Sequence, residues 1–180
     1  MHDTGRLMQL LQHADSFFPS GAVAFSWGLE TLHGEGKVQG AQTVEAFLLG
    51  QLNQRWLPCD RIVLAQAYRA MPHLDEVQRI DGELEALSVA REGREGSRRA
   101  GSALLRIHAQ LDTPGAQAYR ARVQDGHACG HLPVVQGMLW QACGLSRDAA
   151  IAASAHTYCT GVLGAAIRLG ALGHIDAQRI

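Results

Sequence analysis

Apolar residues recur every three or four positions along most of this 180-residue chain. No segment sustains the alternation of apolar and polar residues that a half-buried strand requires. The pattern therefore predicts an all-α fold, a multi-helix bundle of roughly eight to ten helices. The length is typical of one domain with its own core, so we expect residues 1–180 to form a single all-helical domain.

Turn residues divide the pattern into successive helices. Proline fixes φ and disfavours the helical conformation in the residue before it, and neighbouring glycines mark loops. The predicted helices are Arg6–His13, Ala24–His33, Gln42–Gln54, a helix that Pro58 starts and Met71-Pro72 stops, the apolar stripe Leu74–Leu87, the stripe Ser97–Leu111, Gln117–Gln124, Leu132–Cys143, and a long last helix that Ser146 caps.

Three residues do not fit an ordinary helix face. Asp81 places a carboxylate within an apolar stripe, and Gly101 lies inside the next stripe. Glycine within a helix costs roughly 1 kcal/mol relative to alanine, so Gly101 predicts a close helix crossing. Arg168 is a lone basic residue at the end of an uncharged helix, where it would cap carbonyls or pair with an acid such as Asp81 or Glu92.

The charge balance narrows the classes of partner. With 16 basic and 17 acidic residues the net charge is −1, which gives no overall field that attracts nucleic acid or an anionic membrane.

The amino terminus lacks the sustained apolar run of a secretory signal, which favours a cytoplasmic protein. Residues 149–167 carry no charge and have about the length of a membrane span, but their Ala, Ser, Thr and His content favours a buried helix.

Residues 14–31 concentrate turn-forming and aromatic residues between two predicted helices. Pro19 and Gly21 signal a turn. Four of the ten aromatic residues of the chain surround it, namely Phe17, Phe18, Phe25 and Trp27. Two interpretations fit this composition. The segment is either a buried hydrophobic staple between helices or a docking surface for a partner, since aromatic anchors dominate interface energetics.

The densest group of potential metal ligands is His127, Cys129 and His131. Gly130 and Pro133 interrupt the backbone there, so the two histidines need not share a helix face, and we expect no carboxylate to stand nearby to complete a site. We therefore predict no metal site and no cofactor. A metal-binding helical protein or regulatory enzyme that uses these three residues is the alternative. Because no nucleophile elbow or phosphate-binding loop occurs, we also predict no catalytic residues and no enzyme activity.

Four blocks of the sequence, in this order, resemble the UreF family of urease accessory proteins. Any one block is weak, but four in the right order are specific. The blocks are the opening motif with Pro19, Gly21, Ser26, Gly28 and Glu30; a middle pattern with Asp81, Glu92 or Glu95, Arg94, Ser97 and Gly101; the run Gly130-His131-Leu132-Pro133-Val134-Val135-Gln136-Gly137; and a final block, 165–173, that contains Arg168.

The resemblance implies an all-helical scaffold without chemistry of its own that forms a homodimer. It further implies that the protein bridges UreD, also called UreH, to the GTPase UreG in the complex that inserts nickel into apo-urease. Segments 19–30, 94–101 and 130–137 would then shape or present partner surfaces. The alternative is that their glycines and Pro133 only permit tight packing, while Glu30, Asp81 and Arg168 form internal ion pairs.

The carboxyl terminus departs from the family pattern. The chain ends at Ile180, shortly after His174, in a segment that resembles one beyond which family members continue. We therefore expect this chain to lack the C-terminal helix and tail of the family.

Overall fold

The computed structural model of the chain describes residues 2–15, 18 and 27–180. Within these residues it contains helices, turns and no strand, which confirms the all-α prediction. The predicted turn at Pro19 and Gly21, together with Ser26, lies outside the described residues. The helices are α1 (His2–Ala14), α2 (Leu29–Gly34), α3 (Ala41–Gln51), a π-helical segment (Leu52–Asp60), α4 (Arg61–Ala70), α5 (Leu74–Leu87), α6 (Arg91–Gln110), α7 (Ala116–Gln124), α8 (Leu132–Ala142), α9 (Arg147–Arg168) and α10 (His174–Ala177).

The predicted helix start at Pro58 is wrong, because the π-helical segment joins α3 to α4 without a break. Pro58 lies inside this segment, where the wider turn accommodates a residue that has no N–H to donate. The wider turn also brings residues five positions apart together. Arg55 Nε donates to Asp60 Oδ1 at 2.9 Å, and Asp60 is buried.

Three other helix starts differ from their predictions by several residues. α1 begins at His2 rather than at Arg6. α2 begins at Leu29 because Trp27 and Gly28 adopt left-handed backbone, with φ of 53° and 86°. α6 begins at Arg91 rather than near Ser97, so Gly93 and Gly96 lie within its first turns and do not interrupt it. Glycine weakens a helix without forbidding it, and the packed face of α6 outweighs this cost.

α8 is the most deeply buried helix, since every residue from Pro133 to Trp140 is buried. It packs against both α4 and α6. A Cβ atom on Gly137 would overlap the Leu64 carbonyl oxygen of α4 and lie 3.0 Å from the Tyr68 nitrogen. The backbones of α4 and α8 are therefore in contact. The apolar cluster around them draws on α4 to α8 and includes Val63, Ala67, Val77, Ile80, Leu84, Leu104, Leu105, Tyr119, Val134 and Met138.

A second apolar cluster lies around α9. It joins α2, α3, the π-helical segment and α10 through Leu29, Val44, Leu48, Trp56, Tyr158, Val162, Ala165, Ala166 and Ala177. By length and composition, α9 is the one helix of the described ranges that could cross a membrane. A core helix passes the same test, and α9 packs against α1, α2, α3, α4, α8 and α10. Its buried face agrees with the predicted core helix.

α1 contacts the interior through a cluster of buried rings. His13 stacks on His108 at a centroid distance of 5.1 Å, and Phe18 meets His13 edge to face at 5.1 Å. Trp140 of α8 lies 6.3 Å from His13. Burial lowers the pKa of His13, and burial with the neighbouring His13 lowers the pKa of His108 to about 4. Both imidazoles are therefore neutral near pH 7.

The backbone contact at Gly137 predicts a large penalty for one added methyl group. We expect Gly137→Ala to lower the free energy of unfolding by about 3 kcal/mol, because the α4 backbone must shift. Gly82→Ala is the matched control, since that helical glycine is exposed and has nothing within 4 Å of its Cβ position. Urea unfolding should show Gly82→Ala as neutral or stabilising by up to about 1 kcal/mol. Equal effects of the two substitutions would contradict the packing of α4 on α8.

The buried imidazoles predict a loss of stability in mild acid. The pKa of His108 in the folded chain is about 4, below its ordinary value of 6.5. Between these two pH values His108 is therefore protonated in the unfolded chain and neutral in the folded chain. The stabilisation is complete above about pH 6.5 and is lost as the pH falls towards 4, by on the order of 3 kcal/mol. Urea unfolding of His108→Leu between these pH values should show a shallower dependence than the parent chain. If the free energy of unfolding depends on pH equally in both chains, His108 is not the source of the acid sensitivity.

Candidate functional site

The carboxylate of Asp81 is fully buried and accepts four hydrogen bonds. Its Oδ2 accepts from the Tyr119 hydroxyl at 2.9 Å and from the backbone nitrogens of Cys129 and Gly130 at 2.8 and 2.6 Å. Its Oδ1 accepts from the His131 nitrogen at 3.0 Å. A buried carboxylate is tolerated only when donors replace its water shell, and these four do so. Asp81 thus fixes the loop that enters α8.

Ser97 of α6 accepts a hydrogen bond from a free backbone N–H in the first turn of α8. The Leu132 nitrogen donates to Ser97 Oγ at 3.2 Å, and Pro133 has no N–H that requires a partner. The Asp81 carboxylate also places negative charge at the amino-terminal end of α8, where the helix dipole favours it. The start of α8 is therefore held by two other helices rather than by a local cap.

His131 is fully buried between two helices. Its Nε2 lies 2.8 Å from Glu85 Oε2 on α5, and its Nδ1 lies 3.2 Å from Ser97 Oγ on α6. Burial is the main cause that lowers the pKa of His131, while Asp81 and Glu85 oppose that shift. A neutral imidazole can donate to the Glu85 carboxylate through Nε2 and accept from the Ser97 hydroxyl through Nδ1.

Glu85 stands at the rim of this arrangement and is partly exposed. Its Oε1 lies 3.4 Å from Arg94 Nε and 3.6 Å from an Arg98 terminal nitrogen. Arg94 also donates to the Ser88 carbonyl oxygen at 3.0 Å. Cys129 lies beside Glu85, and burial, Asp81 and Glu85 together raise the pKa of its thiol. The rim therefore presents a carboxylate, two guanidiniums and a protonated thiol.

Two glycines allow the loop before α8 to lie directly on α6. A Cβ atom on Gly101 would overlap the Gly130 carbonyl oxygen and lie 2.9 Å from the His131 carbonyl carbon. Gly130 has a φ of +74°, a left-handed conformation that side chains disfavour. The close approach predicted at Gly101 is confirmed, but the element that lies against α6 there is the loop before α8 and not another helix.

Comparisons with known proteins match this chain over nearly its whole length. A sequence profile described as UreF matches residues 38–180. The chain is 35% identical over 186 residues to "Urease accessory protein UreF" of Trichodesmium erythraeum, covering 99% of this chain and 78% of that protein. It is 33% identical over 181 residues to the protein of the same name from Haemophilus influenzae, covering 99% and 76%. The chain belongs to the UreF family.

The UreF resemblance rests on blocks far apart in the sequence, and the structure brings two of them together. Asp81, Ser97 and Gly101 from the middle block contact the loop and first turn that carry Gly130, His131 and Pro133. Arg94 joins them through Glu85. Six of these residues are buried, and Arg94 is partly exposed.

The other UreF motif residues that the structure describes lie elsewhere. Gly28 and Glu30 are exposed at the start of α2, whose Leu29 belongs to the second apolar cluster. Arg168 is exposed at the end of α9. Of the alternatives for Arg168, pairing with Asp81 is wrong, because the Asp81 carboxylate is enclosed by Tyr119 and the backbone of residues 129–131.

The expectation that no carboxylate stands near the His127, Cys129 and His131 group is also wrong. Glu85 reaches this group from α5 and contacts His131. His127 is exposed, whereas His131 is buried, so the two histidines face different surroundings. The ligand atoms that gather belong to Glu85, Cys129 and His131.

Sequence reasoning missed Glu85 and Tyr119. A signal for Glu85 was present, because it lies four residues after Asp81 on α5 and therefore on the same helix face. Tyr119 gave no comparable signal, since one tyrosine in a short helix does not indicate a buried partner. Its position was decided by the packing of α7 against α6.

The enclosure of Asp81 predicts a steep loss of stability when its charge is removed. We expect Asp81→Asn to lower the free energy of unfolding by about 3 kcal/mol, because an amide group would face backbone donors. Tyr119→Phe removes one of the four bonds and should cost about 1 kcal/mol.

Asp75→Asn is the matched control on the same helix, because the Asp75 side chain is 94% exposed and pairs with the partly exposed Arg122. Its effect in urea unfolding should stay below about 1 kcal/mol. An Asp81→Asn chain as stable as Asp75→Asn would show that Asp81 does not hold the loop.

Proposed function

We propose that this chain is a non-catalytic scaffold of urease maturation. In this proposal it joins UreD, also called UreH, to the GTPase UreG in the complex that inserts nickel into apo-urease, and it works as a cytoplasmic homodimer. Membership of the UreF family supports the role in urease maturation. The individual partners follow from the family resemblance of the sequence blocks.

One observation carries the scaffold role. The polar groups of the middle and third motif blocks are used inside the fold, where Asp81, Ser97 and His131 hold the start of α8. Their hydrogen bonds fix the relative positions of α5, α6, α7 and α8. A protein whose most distinctive polar residues stabilise its framework is suited to presenting surfaces rather than to transforming a substrate.

The exposed motif residues are then the candidates for direct contact. Glu30 lies on the surface in the first turn of α2, and Arg168 lies on the surface at the end of α9. Both helices share the second apolar cluster, away from the Asp81 enclosure in the interior. Exposed charges of this kind guide association and select the partner, because like charges placed opposite each other in an interface strongly weaken binding.

The experiment that tests the proposal is size-exclusion chromatography with light scattering. The purified chain is run alone, with UreD, with UreG and GTP, and with both proteins together. We expect a dimer alone and a larger complex that contains all three proteins. A folded helical chain that elutes by itself in every mixture would overturn the scaffold role.

Glu30 supplies a sharper prediction for the same assay. We expect Glu30→Lys to lower the amount of partner retained at least about tenfold while leaving the melting temperature unchanged, because Glu30 is exposed. Glu45→Lys is the matched control, an equal charge change at an exposed position of α3. If Glu30→Lys lowers the melting temperature as much as it lowers retention, Glu30 has a structural role instead.

A further inference from the structure

Three different ligand types converge at the rim of the Asp81 enclosure. The Cys129 sulfur, a ring nitrogen of His131 and a carboxylate oxygen of Glu85 all lie within 4.8 Å of one another. Glu85 and Cys129 are partly exposed, while His131 is buried behind them. An ion from solvent can therefore reach the group, and its inner side is closed by the protein.

We propose that Cys129, His131 and Glu85 bind a divalent transition-metal ion of borderline softness, such as Zn²⁺ or Ni²⁺. Thiolate, imidazole and carboxylate together suit such ions, whereas Mg²⁺ and Ca²⁺ prefer oxygen ligands alone. Three protein ligands leave a further coordination position for water or for a group from another molecule. This inference does not depend on the proposed scaffold function and is tested on the isolated chain.

The spacing of the three side chains fits an ion after a small adjustment. Metal–ligand distances of about 2.0 to 2.3 Å place tetrahedral ligands roughly 3.3 to 3.8 Å apart. His131 Nε2 and Glu85 Oε2 are now 2.8 Å apart, so they must separate slightly. His131 is fixed by packing, and the partly exposed Glu85 side chain can move.

The backbone under the ligands is already fixed. Asp81 accepts hydrogen bonds from the backbone nitrogens of both Cys129 and His131, so these two ligands are held before an ion arrives. A site that need not be ordered on binding loses less conformational entropy. Preorganisation by Asp81 is thus a second feature, independent of the ligand types, that favours binding.

Ser97 can orient the imidazole for coordination. Its hydroxyl already accepts from the Leu132 nitrogen and lies 3.2 Å from His131 Nδ1. When an ion takes the Nε2 lone pair, the ring proton resides on Nδ1 and can be donated to Ser97 Oγ, which has acceptor capacity left. Such an outer hydrogen bond is typical of histidine ligands. The thiol proton of Cys129 passes to solvent when the sulfur coordinates.

The two guanidiniums adjust the charge of the site. Arg94 and Arg98 contact Glu85 Oε1 and leave Oε2 directed at His131. A bound dication balances the thiolate and the carboxylate, and the arginines then favour an additional anionic ligand at the open position. The site therefore suits an ion whose remaining ligand is a water, a hydroxide or an anionic group.

Co²⁺ is the first probe, because a cobalt–thiolate bond gives a charge-transfer absorption that histidine and carboxylate ligands do not. The reduced, chelator-treated chain is titrated with Co²⁺, and Zn²⁺ and Ni²⁺ are then measured by competition and by calorimetry. We expect one ion per chain with the thiolate absorption. Cys129→Ser should abolish that absorption, and Glu85→Gln should weaken binding at least about tenfold.

Matched controls exist for both changes. Cys159→Ser alters another partly buried thiol, and Glu83→Gln alters an exposed acid on the same helix as Glu85. Both controls should bind like the parent chain. A parent chain that binds no metal would overturn the proposal. So would Cys129→Ser and Glu85→Gln chains that bind metal as well as the parent chain does, because other histidines would then hold the ion.

A second measurement requires no substitution and therefore no assumption about folding. Alkylation of the native chain by iodoacetamide is followed at each cysteine by mass spectrometry, with and without Zn²⁺. We expect Zn²⁺ to slow the alkylation of Cys129 at least about tenfold and to leave Cys159 unchanged. Equal rates at Cys129 with and without Zn²⁺ would also overturn the site.

Discussion

The buried carboxylate of Asp81 is the constraint on which the arrangement of the helices depends. A carboxylate in an apolar interior is very unfavourable unless donors surround it. Here the donors come from Tyr119 on α7 and from three consecutive backbone nitrogens before α8. Satisfying one charge therefore requires α5, α7 and the start of α8 to meet at one place.

The remaining features of the site follow from that position of the loop. The loop lies so close to α6 that only glycine fits at position 101, and it carries His131 between Ser97 and Glu85. This explains why motif blocks that are separated in the sequence are contiguous in the fold. It also explains why most of their residues are buried.

The same loop has a buried side and an exposed side. On the buried side its backbone encloses Asp81, and on the exposed side Cys129 and Glu85 stand at the rim beside Arg94 and Arg98. The stability of the fold and any chemistry at the rim thus depend on the same loop. His131 belongs to both sides, because its ring is buried while its Nε2 points at the rim carboxylate.

The sequence by itself determined the helices, the cap at Ser146, the stop at Met71-Pro72 and the close approach at Gly101, because periodicity, caps and steric size act within a few residues. It did not determine the continuous π-helical segment that contains Pro58, the hydrogen-bond partners of Asp81 or the contact of Glu85 with His131. Those contacts join residues as far as 50 positions apart, or depend on a helix geometry that the surrounding packing selects. Only the tertiary structure decided them, since burial sets which polar groups must find each other.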